Sequence, residues 1–247
     1  MCPQAGSSDP QKKRWRKVYT PAITARLNKA AVGVNLTSSD TQSIISLCPF
    51  YTVAKEKPSP FCDWFTPAEF KDYEYSGDLD KYYGTGYGQE LGPVQGVGYI
   101  NELLARLTGQ PVQDETQTNR TLDASPETFP LNRTIYADFS HDNQMIAIFS
   151  AMGLFPQAQP LNPTKPDKNR TWLASRLVPF SSRMVVEKLA CKGKDEEYIR
   201  ILVNDVLQPL RSCGATKNGL CRLSDFVQSQ GYARNNGNGD FEKCFTS

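Results

Sequence analysis

Tyr136-Ala-Asp-Phe-Ser-His-Asp-Asn-Gln-Met-Ile-Ala-Ile-Phe-Ser-Ala-Met-Gly153 is the stretch from which the rest of the chain can be read. Residues 135–139 read as a short apolar strand that ends on Ser140. His141 and Asp142 then fall at a turn, and a helix is predicted from about Asn143. Its apolar positions Met145, Ile146, Ile148, Phe149 and Met152 recur at helical spacing. A strand that runs into a helix points the first-turn N–H groups and the positive end of the helix dipole outward, which suits an anion. His141, the only histidine of the 247 residues, and Asp142 stand at that point as groups able to carry and release a proton.

Working upstream, residues 1–17 are polar and end in Lys12-Lys-Arg-Trp-Arg-Lys17, read as a solvated approach to a helix rather than a nucleic-acid patch. A first helix is predicted with Thr20 as N-cap and Pro21 at its first position, carrying Ile23 and Leu27 and stopping near Gly33. A second is predicted over 38–47, with Ser39 and Gln42 as capping box and Ile44, Ile45 and Leu47 buried. Thr66-Pro-Ala-Glu69 is a helix start of the same kind. Lys81-Tyr-Tyr-Gly-Thr-Gly-Tyr-Gly88 lacks both the Rossmann spacing and the Lys-Ser/Thr of a P-loop and reads as a flexible loop. Residues 95–107 form a helix, with Val97, Ile100, Leu103, Leu104 and Leu107 buried and Gly109 as its stop. Residues 110–129 read as a polar surface crossing.

Downstream, strands are predicted at 183–189 and 198–203, the second with Ile199, Ile201 and Val203 on one face and Lys192-Gly-Lys-Asp195 as the turn between them. A short helix follows over 223–230, then Asn235-Asn-Gly-Asn-Gly239 as a flexible tail. The sum is a polar segment (1–16), a helical subdomain (17–130) and an α/β part (131–247).

Composition narrows the class. A chain of this length with 39% hydrophobic residues can bury a core, and 28 basic against 26 acidic residues leave a formal charge of +2. That balance gives no reason to expect nucleic acid or a membrane surface as partner, and no stretch approaches a membrane span. The start of the chain lacks the features of a signal peptide. Four sequons, at Asn35, Asn119, Asn132 and Asn169, nevertheless point to secretion, as do seven cysteines. Cys48 and Cys62 bracket a Pro-rich loop and Cys213 and Cys221 a Gly/Asn turn, spacings that suit short disulfide loops.

Tyr136-Ala-Asp-Phe-Ser-His-Asp-Asn143 resembles the His-Asp motif of the histidine acid phosphatases, and the wording around it is similar to that of the fungal phytases. The likeness runs from about Tyr19 to Phe245, through Ser59-Pro-Phe-Cys-Asp63, Lys81-Tyr-Tyr-Gly84, Leu91-Gly-Pro-Val-Gln-Gly-Val-Gly-Tyr99 and Leu202-Val-Asn-Asp205. The resemblance implies part of a doubly wound α/β domain with a helical subdomain, and metal-independent hydrolysis of phosphate monoesters without cofactor. The substrate it implies is an inositol phosphate, most of all phytate, handled by a secreted monomer. His141 is then a phosphate ligand, Asp142 the proton donor to the leaving oxygen, Asn143 a neighbour in the site, and Lys81 a binder of the outer phosphates. The nucleophile of the family is the histidine of an Arg-His-Gly-x-Arg-x-Pro segment, which these residues do not include and which is expected before Met1. The resemblance also pairs Cys48 with Cys62, Cys213 with Cys221 and Cys2 with Cys244, leaving Cys191 over. The alternative expectation is a non-catalytic remnant or a glycoprotein domain that binds phosphorylated ligands.

Other chemistries fit less well. A metal held by Asp138, His141 and Asp142 would find one nitrogen ligand, and Ser140 lacks the G-x-S-x-G elbow of a serine nucleophile.

Overall fold

The computed structural model describes residues 2–193 and 195–246. Helix α1 spans Asp9–Ala30, longer than the sequence reading, because Trp15, Tyr19, Ile23 and Leu27 already recur at four-residue spacing and are all buried. Pro21 therefore lies inside the helix, not at its first position. The basic run is part of the helix as well, and the Trp15 indole donates to the Asp72 carbonyl at 2.7 Å.

Helix α2 covers Ser38–Lys55 and passes through Pro49. Its capping box is Thr37 with Asp40 instead of Ser39 with Gln42: the Asp40 carboxylate accepts from the Thr37 N–H at 2.8 Å, and the Thr37 hydroxyl accepts from the Asp40 N–H at 3.2 Å. Only Ile45 of the three expected core residues is fully buried, and Leu47 is exposed. Helix α3, Pro67–Gly84, starts on the expected box of Thr66 and Glu69. It runs four residues into the segment read as a loop, so Lys81 stands in its last helical turn. The rest of that segment is a tight turn: a Cβ on Gly92 would fall 2.5 Å from the Gly86 carbonyl oxygen, a distance only glycine permits.

Helix α4, Val97–Thr108, carries the expected apolar face and ends on Gly109 with φ +70°. A short helix α5, Arg120–Asp123, breaks the surface crossing. Helix α6, Asp142–Ala151, buries Ile146, Ala147, Ile148 and Phe149. It leans on the turn at Pro93–Gly96 so closely that a Cβ on Gly96 would lie 2.5 Å from the Ala147 carbonyl oxygen.

After the short helix α7, Ala174–Leu177, come β1, Met184–Ala190, and β2, Glu197–Val203, paired antiparallel in the register Met184↔Val203. The expected turn between them includes Lys194, which lies outside the described residues. Strand β3, Val206–Leu207, returns on the other edge of β2 through Asn204 and Asp205, both at positive φ as a two-residue hairpin of this twist demands. Strand β4, Cys221–Arg222, joins the same edge. Ile199, Ile201 and Val203 face inward, with Phe226 of helix α8, Leu223–Ser229, against them.

Helices α9, Gly231–Arg234, and α10, Asp240–Lys243, close the chain. The residues between them are not a flexible tail. Asn236, Gly237 and Asn238 take left-handed turns, and the Asn236 carbonyl oxygen of the side chain accepts from the Glu115 N–H at 3.0 Å. One continuous core joins α1, α3, α4 and α6 to the sheet, so the chain is helix-rich with a small antiparallel sheet packed on it. No helix among the described residues is long and apolar enough to cross a membrane.

Candidate active site

The strand expected at 135–139 does not form among the described residues. Residues 135–140 take no regular structure although their β-branched and aromatic content favours a strand: no neighbouring strand pairs with them among the described residues, and pairing is what makes a strand. Ile135 is 83% exposed and Phe139 100% exposed. The backbone of His141, φ −121° and ψ 161°, is extended, and α6 begins on the next residue. The imidazole is exposed and forms no hydrogen bond among the described residues.

Around that helix start the charges converge. Lys81 Nζ from the end of α3 lies 2.5 Å from Asp142 Oδ2 and donates to Asn143 Oδ1 at 2.7 Å. The Asn143 N–H donates to Asp142 Oδ1 at 2.8 Å. Asn143 thus spends its amide oxygen on Lys81, leaving its NH2 group as the donor for a ligand. Asp80 stands 3.6 Å from the same ammonium and in turn accepts from the Ser8 hydroxyl at 2.7 Å and pairs with Lys12 at 2.8 Å. Sequence reasoning missed Ser8, Lys12 and Asp80. No local pattern links residues about seventy positions apart, and only the charged pair Asp80-Lys81 at a helix end hinted at them.

Electrostatics follow from these contacts. Partial burial alone would lift the Asp142 carboxyl, but the Lys81 ammonium outweighs it and holds the group below the usual 3.8. Lys81 thus favours the carboxylate form of Asp142. Asp80 is likewise held down: burial acts against ionisation, and Lys12, Ser8 and Lys81 together prevail.

The irregular approach to His141 is tied to the body at Asp138. Arg106 on α4 grips that carboxylate with both nitrogens, Nη1 to Oδ2 at 2.5 Å and Nη2 to Oδ1 at 3.3 Å. Asp138 is thus committed to an ion pair and not to a metal site with His141. A hollow of about 490 Å³ lies elsewhere, lined among others by Asp114, Glu115, Arg120, Asp123 and Arg234, and includes none of Lys81, His141, Asp142 or Asn143. The candidate site is an open surface formed by the ends of α3 and α6.

The structure links Cys2 with Cys244, Cys48 with Cys62 and Cys213 with Cys221, and Cys191 is a free thiol. Asn35, Asn119, Asn132 and Asn169 are all exposed. Asn119 also caps α5, its side-chain oxygen accepting from the Thr121 and Leu122 N–H groups, while its amide nitrogen stays free.

The family model of the histidine phosphatase superfamily, branch 2, matches residues 2–204. Phytase A of Aspergillus terreus is 46% identical over 235 residues, covering 92% of this chain and 50% of the relative. Phytase A of Arthroderma benhamiae is 45% identical over 237 residues, covering 92% and 52%. Phytase A of Aspergillus fumigatus is 46% identical over 236 residues, covering 93% and 50%. The crystal structure of the phytase from D. castellii superposes on this fold with a TM-score of 0.80 at 24% identity, over 100% of this chain and 49% of that one. The chain thus spans about half the length of the relatives it matches.

Proposed function

We propose, because the chain belongs to the histidine phosphatase superfamily, branch 2, that it supplies the phosphate-binding and proton-donating part of a phosphate-monoester hydrolase site, with phytate as the substrate. The observation that carries this reading is the convergence of Lys81 on Asp142 and Asn143 beside His141 at the start of α6. A helix N-terminus with an ammonium, an imidazole and a free amide donor presents cations and N–H groups to the equatorial oxygens of a phosphate.

In this mechanism His141 and Lys81 bind the phosphate, with Lys81 also reaching the outer phosphates of the inositol ring. Arrival of a phosphate dianion draws Lys81 off Asp142 and places negative charge near the carboxyl. Both changes raise its pKa, so Asp142 takes up a proton as substrate binds. The bond between phosphorus and the leaving alcohol oxygen then breaks, the oxygen takes the proton of Asp142, and the phosphoryl group passes to a nucleophilic histidine. That histidine belongs to an Arg-His-Gly-x-Arg-x-Pro segment, which the 247 residues do not contain. Water later releases phosphate from the phosphohistidine, with Asp142 as the base. Three disulfides and four exposed sequons support the further reading of a secreted glycoprotein.

A direct test uses the single histidine. Titration with inorganic phosphate should move the His141 imidazole resonances of the chain, and Lys81→Met should weaken that response. Hydrolysis of phytate at about pH 5, where a carboxylic acid can still be protonated, should be undetectable for the chain alone. In the same protein joined to its nucleophilic segment it should appear and be removed by Asp142→Asn. Absence of any phosphate response at His141 would reject the site.

A further inference from the structure

Residues 130–141 run from the buried ring of Phe129 to the start of α6 with no ladder partner among the described residues, and most of them are exposed. Something other than a sheet must fix where His141 stands. Asp138 is three residues upstream, at most about 10 Å of chain away, and its carboxylate is held by the two-pronged contact with Arg106.

The same guanidinium lies over two more rings of the segment, 4.8 Å from the Phe129 centroid and 5.1 Å from that of Tyr136. One side chain thus meets the beginning, middle and end of the stretch 129–138. Arg106 is itself well placed to hold still. Its side chain is only 14% exposed, and α4 is anchored in the core by Ile100, Leu103, Leu104 and Leu107, all buried. A planar fork that stacks on rings and binds a carboxylate with two nitrogens fixes direction as well as distance, which lysine would not do.

We propose that Arg106 is a positioning residue of the candidate site: through Asp138, Phe129 and Tyr136 it pins the irregular arm that presents His141. With the clamp in place, only residues 139–141 span the gap between two fixed points, Asp138 and the first turn of α6. Without it, the arm from 130 to 141 keeps the buried ring of Phe129 at one end, the α6 start at the other, and between them only the Tyr99 hydroxyl beside Asp138. The consequence for phosphate binding rests on the function proposed above; the ordering of the arm does not.

The experiment is 15N relaxation on the uniformly labelled chain, comparing wild type with Asp138→Asn, Arg106→Met and Arg106→Lys. Loss of the clamp should lower the heteronuclear NOE of residues 137–141 while the amides of 146–150 keep theirs, with Arg106→Lys intermediate. Asp138→Asn is the safeguard against misfolding, because it keeps the side-chain volume at a half-exposed position, and its melting temperature should match wild type. Inorganic phosphate followed at the His141 imidazole should then bind about tenfold more weakly to Asp138→Asn, the worth of one misplaced hydrogen bond to a charged group. Residues 137–141 as ordered in Asp138→Asn as in wild type would overturn the proposal, and so would lost order with unchanged phosphate affinity. A wild type that ignores phosphate would instead reject the phosphate site, and the order of 137–141 alone would then decide whether Arg106 is a clamp.

Discussion

Phe139 and Phe149 belong to one run of sequence and sit at opposite extremes, the first 100% exposed and the second fully buried against Phe155, with ring centroids 5.5 Å apart. Between them the chain changes its means of support. From Asp142 onward α6 is held by a dense apolar face and by backbone contact with Gly96. Before it, the arm carrying His141 is held by polar contacts at Asp138, chiefly the Arg106 guanidinium, which also lies over Phe129 and Tyr136. Asp142 and Asn143 therefore inherit the rigidity of a core, whereas His141 inherits that of an ion pair. A candidate site assembled across such a boundary has its carboxylate fixed by packing and its imidazole by electrostatics, and the two halves should fail under different perturbations.

Removing packing from the rigid half should have the largest effect. Phe149→Ala leaves a cavity where a fully buried ring stood, and about 3–5 kcal/mol of stability should be lost, read from the urea midpoint. Gly96→Ala should cost about 1–3 kcal/mol by forcing the turn at 93–96 off α6. Its sharper consequence is local: α6 must shift, and the Asp142 and Asn143 amide resonances should move with it. If Gly96→Ala left those resonances in place, the rigid half would not be set by this contact.

That boundary also marks what the sequence could reveal. Helical spacing and capping chemistry are local, so the start of α3 at Thr66, the face of α4 and the extent of α6 were legible within a residue or two. Pro21 misled because a proline reads as a boundary, while the stripe Trp15, Tyr19, Ile23, Leu27 buries enough surface to carry α1 straight through. The apolar, β-branched and aromatic content of 135–139 favours a strand but could not say whether an edge lay beside it. At the site, His141 and Asp142 were legible as a motif. The partnership of Lys81 with Asp142 was not, since it depends on how α3 crosses α6, and neither was the clamp of Arg106 on Asp138, 32 residues apart in sequence.

Lys81→Met probes the electrostatic join between the halves, and its effect on stability should be small. Asp142 has a folded pKa below its usual 3.8, so the pair stabilises the fold fully above that value and loses this contribution as pH falls through the folded pKa. The carboxylate is half exposed, and the ion pair should therefore contribute about 0.2–1 kcal/mol, as surface pairs do. The stability curves of wild type and Lys81→Met should separate above pH 3.8 and merge below it. The clearer reading is the Asp142 carboxyl 13C titration, which should move upward in the variant because burial and the Asp80 charge then act with less opposition. An unmoved titration would mean that the 2.5 Å contact is not kept in solution.

Phe139→Ala should have the smallest effect of all, and for that reason it tests the comparison most severely. A phenylalanine contributes to folding only through the surface it removes from water, and Phe139 removes none within this chain. The expected change lies within about 0.5 kcal/mol of zero, as for surface positions generally, against the several kcal/mol of Phe149→Ala. A loss above about 1 kcal/mol would mean that the ring is covered in solution. The protein concentration then identifies the cover: a midpoint that rises with concentration in wild type and not in Phe139→Ala would place a second molecule on the arm. His141 would in that case owe its position to an interface as well as to Arg106, and the arm would cease to be the loosely held half.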